Sequence, residues 1–124
     1  MSDLFVIPTR QKADILFQST VPLPRFGFYD SPVMEVSGYA RIVILAVSNL
    51  SFGLNIEEAV SVTPLGVGDF VQTDSTILAA AVGGNFQIAT SVLAFGRYMK
   101  MIVGNMGPGA QSFFNFIAKG IPLP

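Results

Sequence analysis

The ten residues Tyr39–Ser48, YARIVILAVS, constrain the fold of this chain more than any other stretch. Four large aliphatic residues, Ile42 to Leu45, follow one another without a polar interruption, and three of them are β-branched. Ser37-Gly38 punctuates the start and Ser48-Asn49 the end. A short run of that composition reads as a strand, apolar on both faces, rather than as a helix. It is expected in the middle of a sheet, covered above and below.

The remaining segments repeat the strand signal at roughly ten-residue spacing. Ala13–Thr20 places Ala13, Ile15 and Phe17 on one face and Asp14, Leu16 and Gln18 on the other. Pro22, Pro24 and Pro32 keep the next stretch out of a central position, with a short strand over Phe26–Tyr29. Phe52–Val60 alternates cleanly, and Glu58 on its apolar face predicts that the strand emerges into solvent there. Pro64, Gly66 and Gly68 predict a loop, followed by a brief strand over Phe70–Thr73. Thr76–Val82 and Phe86–Leu93 flank Gly83-Gly84-Asn85, a hairpin signal, with the alanines at 79–81 on the small side of a packed layer. Arg97–Val103 alternates again, Gly104–Gly109 forms a loop, and Ser112–Ala118 is a last strand carrying Phe113, Phe114 and Phe116. No long window shows a helical period. About eight short strands predict an all-β chain: a two-sheet, jelly-roll-like sandwich, with an immunoglobulin-like Greek key as second choice. Residues 13–124 form that domain, and residues 1–12 form an extended N-terminal arm.

The arm has two readings. Leu4 and Val6 face one way in an extended chain, Phe5 and Ile7 the other. Either these four residues make an edge strand of their own domain, ending at Pro8, or they dock on the open edge of a neighbouring subunit.

Composition narrows the function. The chain of 124 residues is 51% hydrophobic and only 12% charged, where about 25% is ordinary. So little charge implies that much of the surface is covered, most simply by other copies of the chain. Seven basic residues, scattered from Arg10 to Lys119, form no patch for nucleic acid or for an anionic membrane. The uncharged stretch between Asp74 and Arg97 is long enough to span a bilayer, but Gly83-Gly84-Asn85 at its centre marks a turn, so no membrane insertion is expected. MSDLFVIPTRQK has no basic start followed by an apolar core, so no signal peptide is expected.

The inventory for chemistry is thin. The chain has no cysteine, histidine or tryptophan, which removes thiolate nucleophiles, zinc–thiolate sites and Ser-His pairs. Glu57 and Glu58 are adjacent and point to opposite faces of a strand. Asp30, Asp69 and Asp74 border loops without the density of acids that calcium needs. Gly66–Gly68 and Gly107–Gly109 lack the lysine and helix of a phosphate loop. Met99, Met101 and Met106 read as core packing before they read as an adaptable surface. No catalytic, metal or cofactor site is therefore expected.

The motifs VSGYARIVILAVSN, LNIEEAV, Gly-Asp-Phe and GRYMKMIVGN, in that order between Val36 and Asn105, resemble jelly-roll subunits of bacterial spore-surface appendages and of phage tail or decoration proteins. The resemblance covers a little over half of the chain, and carbohydrate-binding jelly rolls share the same outline. It implies a non-enzymatic building block whose arm, here Leu4, Phe5, Val6 and Ile7, reaches into the next subunit. Its partners would be copies of itself and an anchoring or tip protein, on a spore surface or in a phage particle. One class of appendage subunit cross-links through N-terminal cysteines. This chain has none, so its cohesion is expected to be non-covalent. The alternative is a carbohydrate-binding module, for which Tyr29, Tyr39 and Tyr98 are the only tyrosines.

Overall fold

The computed structural model describes residues 13–59, 70–73 and 75–123. The arm residues Leu4–Ile7, the glycine-rich loop with Asp69, and Asp74 lie outside the described residues. Regular structure within them is all strand: β1 (Asp14–Ser19), β2 (Phe28–Asp30), β3 (Met34–Glu35), β4 (Tyr39–Ser48), β5 (Phe52–Ala59), β6 (Phe70–Gln72), β7 (Ile77–Leu78), β8 (Ala80–Val82), β9 (Asn85–Val92), β10 (Tyr98–Asn105) and β11 (Phe114–Pro122). Among the described residues no helix is long and apolar enough to cross a membrane.

Two antiparallel sheets pack face to face as a β-sandwich. The first has the order β1-β11-β4-β9-β8, the second β2-β10-β5-β6, with β3 also on β10 and β7 also on β5. Alternation decides which side chains enter the interior. On β5, Phe52, Leu54 and Ile56 are buried; on β10, Met99, Met101 and Val103. They meet Ile42 and Ile44 of β4, and Phe114 and Phe116 of β11. Phe17, Phe116 and Phe114 stack in sequence at centroid distances of 5.1 and 6.1 Å, and Phe52 meets Phe114 edge-on at 5.7 Å. Each such side chain contributes about 1.5–3 kcal/mol through burial. Met99 and Met101 are core residues, while Met106 is exposed.

Further expectations change. β4 is present over the expected residues, but only Ile42, Ile44, Ala46 and Ser48 are buried, and Leu45 on the other face is 41% exposed. A two-layer sandwich has a single interior, and nothing else in the described domain covers the outer side of the five-stranded sheet.

In β1 the register shifts between Ile15 and Phe17, so Phe17 enters the core and Ile15 is exposed, although strict alternation placed them together. The expected strand Thr76–Val82 is two strands in two sheets. β7 pairs with β5 and β8 with β9, and between them Ala79 N–H donates to Phe52 O at 2.9 Å. Ala80 and Ala81 are consequently exposed rather than packed. Glu58 does not emerge into solvent: it is buried, at 2% exposure. The hairpin signal itself holds, with Val82 opposite Asn85 and a two-residue turn at Gly83 and Gly84. Their φ angles of 59° and 85° are the left-handed pair that such a turn demands.

Candidate functional site

The acidic residues are dispersed into separate structural contacts. Glu35 pairs with Arg97 at 3.2 Å and Glu57 with Lys100 at 3.6 Å, on the surface of the six-stranded sheet. Glu58 turns inward, and its Oε1 accepts hydrogen bonds from Phe95 N–H and Gly96 N–H at 2.7 and 2.8 Å. That contact ties the crossing from β9 to β10 onto β5. Glu58 Oε2 is buried without a hydrogen-bond partner. Among the described residues no three acidic, histidine or cysteine side chains gather as metal ligands would.

Tyr39 lies over Gly120, where an added Cβ would overlap its ring, and its hydroxyl donates to Asp14 Oδ2 at 3.0 Å. Burial pushes the Tyr39 phenol above its ordinary pKa, and the Asp14 hydrogen bond and charge push the same way. A phenol raised in the folded state stabilises the fold below its unfolded pKa, about 10, and that contribution is lost as pH rises through the folded value. An alkaline absorbance titration of wild type is expected to carry a tyrosinate component above the ordinary range, absent from Tyr39→Phe. A tyrosinate component that is lost in Tyr39→Phe but titrates in the ordinary range, about 10, would refute the coupling.

The end of the sandwich near Ser48 and Asn105 is closed by side chains bonding to backbone. Asn105 Nδ2 donates to Pro24 O at 3.0 Å and to Gly109 O at 2.8 Å, while its Oδ1 accepts from Gly107 N–H at 2.9 Å. Gln111 Oε1 accepts from Leu23 N–H at 2.8 Å, and Asn49 Oδ1 from Ser112 N–H at 2.8 Å. The turn pinned there holds Phe26 at φ 60°, a left-handed conformation rare for an aromatic residue, with its ring 76% exposed.

Two surface features remain unpartnered among the described residues. The first is an edge: β9 pairs with β8 only over Asn85–Gln87, so no strand is registered against Ile88–Val92 on the side away from β4. Those five residues, IATSV, carry no charge, proline or bulge of their own, although Arg41 of β4 reaches over to donate from Nη2 to Ser91 O at 3.3 Å. The second is the outer face of the five-stranded sheet, where a hollow of about 350 Å³ is lined by Gln18, Leu45, Gln87, Ala89, Asn115 and Ile117, among others. Sequence reasoning missed both, because each depends on strand order; the apolar odd-numbered positions of β4 were the only signal available.

The sequence-expected arm residues Leu4, Phe5, Val6 and Ile7 lie outside the described residues, so this geometry neither joins them to these features nor separates them. Tyr29, Tyr39 and Tyr98 are each half-buried, and the exposed rings are Phe26, Phe28 and Phe95. No protein-family model matches the chain, and no curated protein is similar to it.

Proposed function

We propose that this chain is a non-enzymatic structural subunit that assembles with copies of itself into a fibre or particle surface of the spore-appendage or phage type. The observation that carries the reading is the edge Ile88–Val92, on which no strand is registered away from β4 among the described residues and where Arg41 Nη2 engages Ser91 O at 3.3 Å. Leu4–Ile7 of a neighbouring copy is the donor, non-covalently bound, with alternate side chains on alternate faces. β1 begins at Asp14 on the opposite edge of the sheet that ends with β9 and β8. An arm leaving one edge and filling the other propagates head to tail without closing.

In this reading the sandwich is a jelly roll. When β2 with β3 and β6 with β7 each count as one strand, and β8 is set aside as an addition at the β9 edge, the sheets run 1-8-3-6 and 2-7-4-5. Each of the pairs 1-8, 2-7, 3-6 and 4-5 is antiparallel, as in a long hairpin rolled around a barrel axis. The motif resemblance supports the spore or phage setting.

A carbohydrate-binding module needs aromatic rings that stack together on sugar faces. The three exposed rings are not gathered in one place: Phe26 and Phe28 flank Gly27 at one end of β10, and Phe95 precedes the other end.

Negative-stain microscopy with sedimentation of the purified full chain tests the proposal. Filaments or large regular particles are the expected result. A single monomeric species across concentrations would overturn it.

A further inference from the structure

We propose that the outer face of the five-stranded sheet packs against the same face of a second copy of this chain, about a two-fold axis lying in the contact plane and perpendicular to the strands. This contact is separate from the arm and does not depend on it.

The register defines the face. One row across the sheet is Gln18, Ile117, Leu45 and Ala89; the next towards one end is Asn115, Val47 and Gln87; towards the other end it is Lys119, Val43 and Ser91. The middle of the face is therefore Leu45, Ile117, Val43 and Val47, where a solvated antiparallel sheet would be polar. β4 has the composition of a strand covered on both sides, and the described residues cover one side only. A second molecule supplies the missing layer.

Charge favours a copy of this chain over an acidic or basic partner. Asp14 is the only carboxylate in the five strands, and it is engaged by Tyr39. Arg41 already donates from Nε to Ser91 Oγ at 2.9 Å. Lys119 and Arg41 lie at one end of the face, and the amides Gln87 and Asn115 at the other. A two-fold axis perpendicular to the strands sets the lysine of each copy over the amide carbonyls of its partner. An axis parallel to the strands would bring the cationic ends together.

Size fits as well. Five strands about 4.8 Å apart, each with about seven residues at 3.3 Å, present roughly 500 Å² per copy. The pair then buries about 1,000 Å², which meets the lower limit of a specific interface.

The absence of cysteine makes the test clean. Packed sheets lie about 10 Å apart, too far for a disulfide, so Leu45→Cys is treated with a short bis-maleimide. A two-fold contact brings the introduced thiol near its own copy, and covalent dimer is expected, unlike for Ser37→Cys in the exposed turn before β4. The dimer is expected to persist in the full chain with Phe5→Asp, which disables the arm. Leu45→Lys buries a cation in the contact and is expected to weaken pairing by about a hundredfold or more in sedimentation. No cross-link above the Ser37→Cys background overturns the proposal. So does a cross-link that disappears with Phe5→Asp, or one that forms instead between the thiols of Phe5→Cys and Leu45→Cys. If the dimer persists while the full chain forms no larger assemblies, the arm-based function fails and this contact stands.

Discussion

Deletion of Ser2–Lys12 is expected to leave a folded subunit that no longer forms large assemblies. The core runs from Phe17 to Ala118, and every buried hydrophobic residue identified lies within it, so the deletion removes no described packing. The arm contributes Leu4, Phe5, Val6 and Ile7 to the neighbour, together roughly 6–12 kcal/mol of gross burial at 1.5–3 kcal/mol each. Association costs about 4–15 kcal/mol in lost translational and rotational freedom. The two quantities are of the same order, so removing the arm should abolish assembly rather than slow it. Phe5→Asp, which places a charge in an apolar acceptor, should come close to the deletion. Circular dichroism checks that the fold survives, and sedimentation reads the loss of large species. Assemblies of unchanged size after deletion would sink the arm mechanism and leave the sheet surfaces as the means of cohesion.

The strands were legible in the sequence wherever a regular alternation met a single interior. Phe52, Leu54 and Ile56, or Met99, Met101 and Val103, needed only period two to be placed correctly. Gly83-Gly84 announced its turn because few other residues adopt two successive positive φ angles. The misreadings have local causes that leave no mark in composition. The chain changes sheets at Ala79 without a glycine or proline, using one backbone bond to Phe52. The bulge in β1 puts Ile15 and Phe17 on opposite faces with no turn residue to signal it. Glu58 looked like a solvent residue because its partners, the Phe95 and Gly96 N–H groups, are far away in sequence. The surfaces were the least legible, since an open edge at β9 and a bare face on β4 exist only once strand order is known. What the sequence did carry was the double-sided apolar character of YARIVILAVS, half of which the fold leaves unused.

Asn105 is expected to be the most sensitive polar position in the chain. The sequence places it in the loop GNMGPG, yet it ends β10 facing inward, at 6% exposure. Its side chain connects three segments: the turn at Pro24, the loop at Gly109 and the N–H of Gly107. Pro24 O also accepts from Gly27 N–H, so losing Asn105 leaves it a partner. Gly107 N–H and Gly109 O have no such substitute among the described hydrogen bonds. Two orphaned backbone groups cost about 1–3 kcal/mol each, so Asn105→Ala should destabilise by roughly 2–6 kcal/mol in denaturant unfolding. Asn105→Asp separates the donor from the shape. It keeps the acceptor for Gly107 but turns a carboxylate oxygen towards the Pro24 and Gly109 carbonyls. At neutral pH it should be at least as damaging as alanine. A carboxyl in that site has its folded pKa raised above the unfolded value, so the protonated form, which again donates, is the one the fold favours. Stability of Asn105→Asp relative to wild type should therefore recover as pH falls below the folded pKa and be lost as pH rises through it. If Asn105→Asp unfolds at the wild-type denaturant midpoint at pH 7, the Nδ2 bonds contribute nothing and the end of the sandwich is held by Gln111 and Asn49.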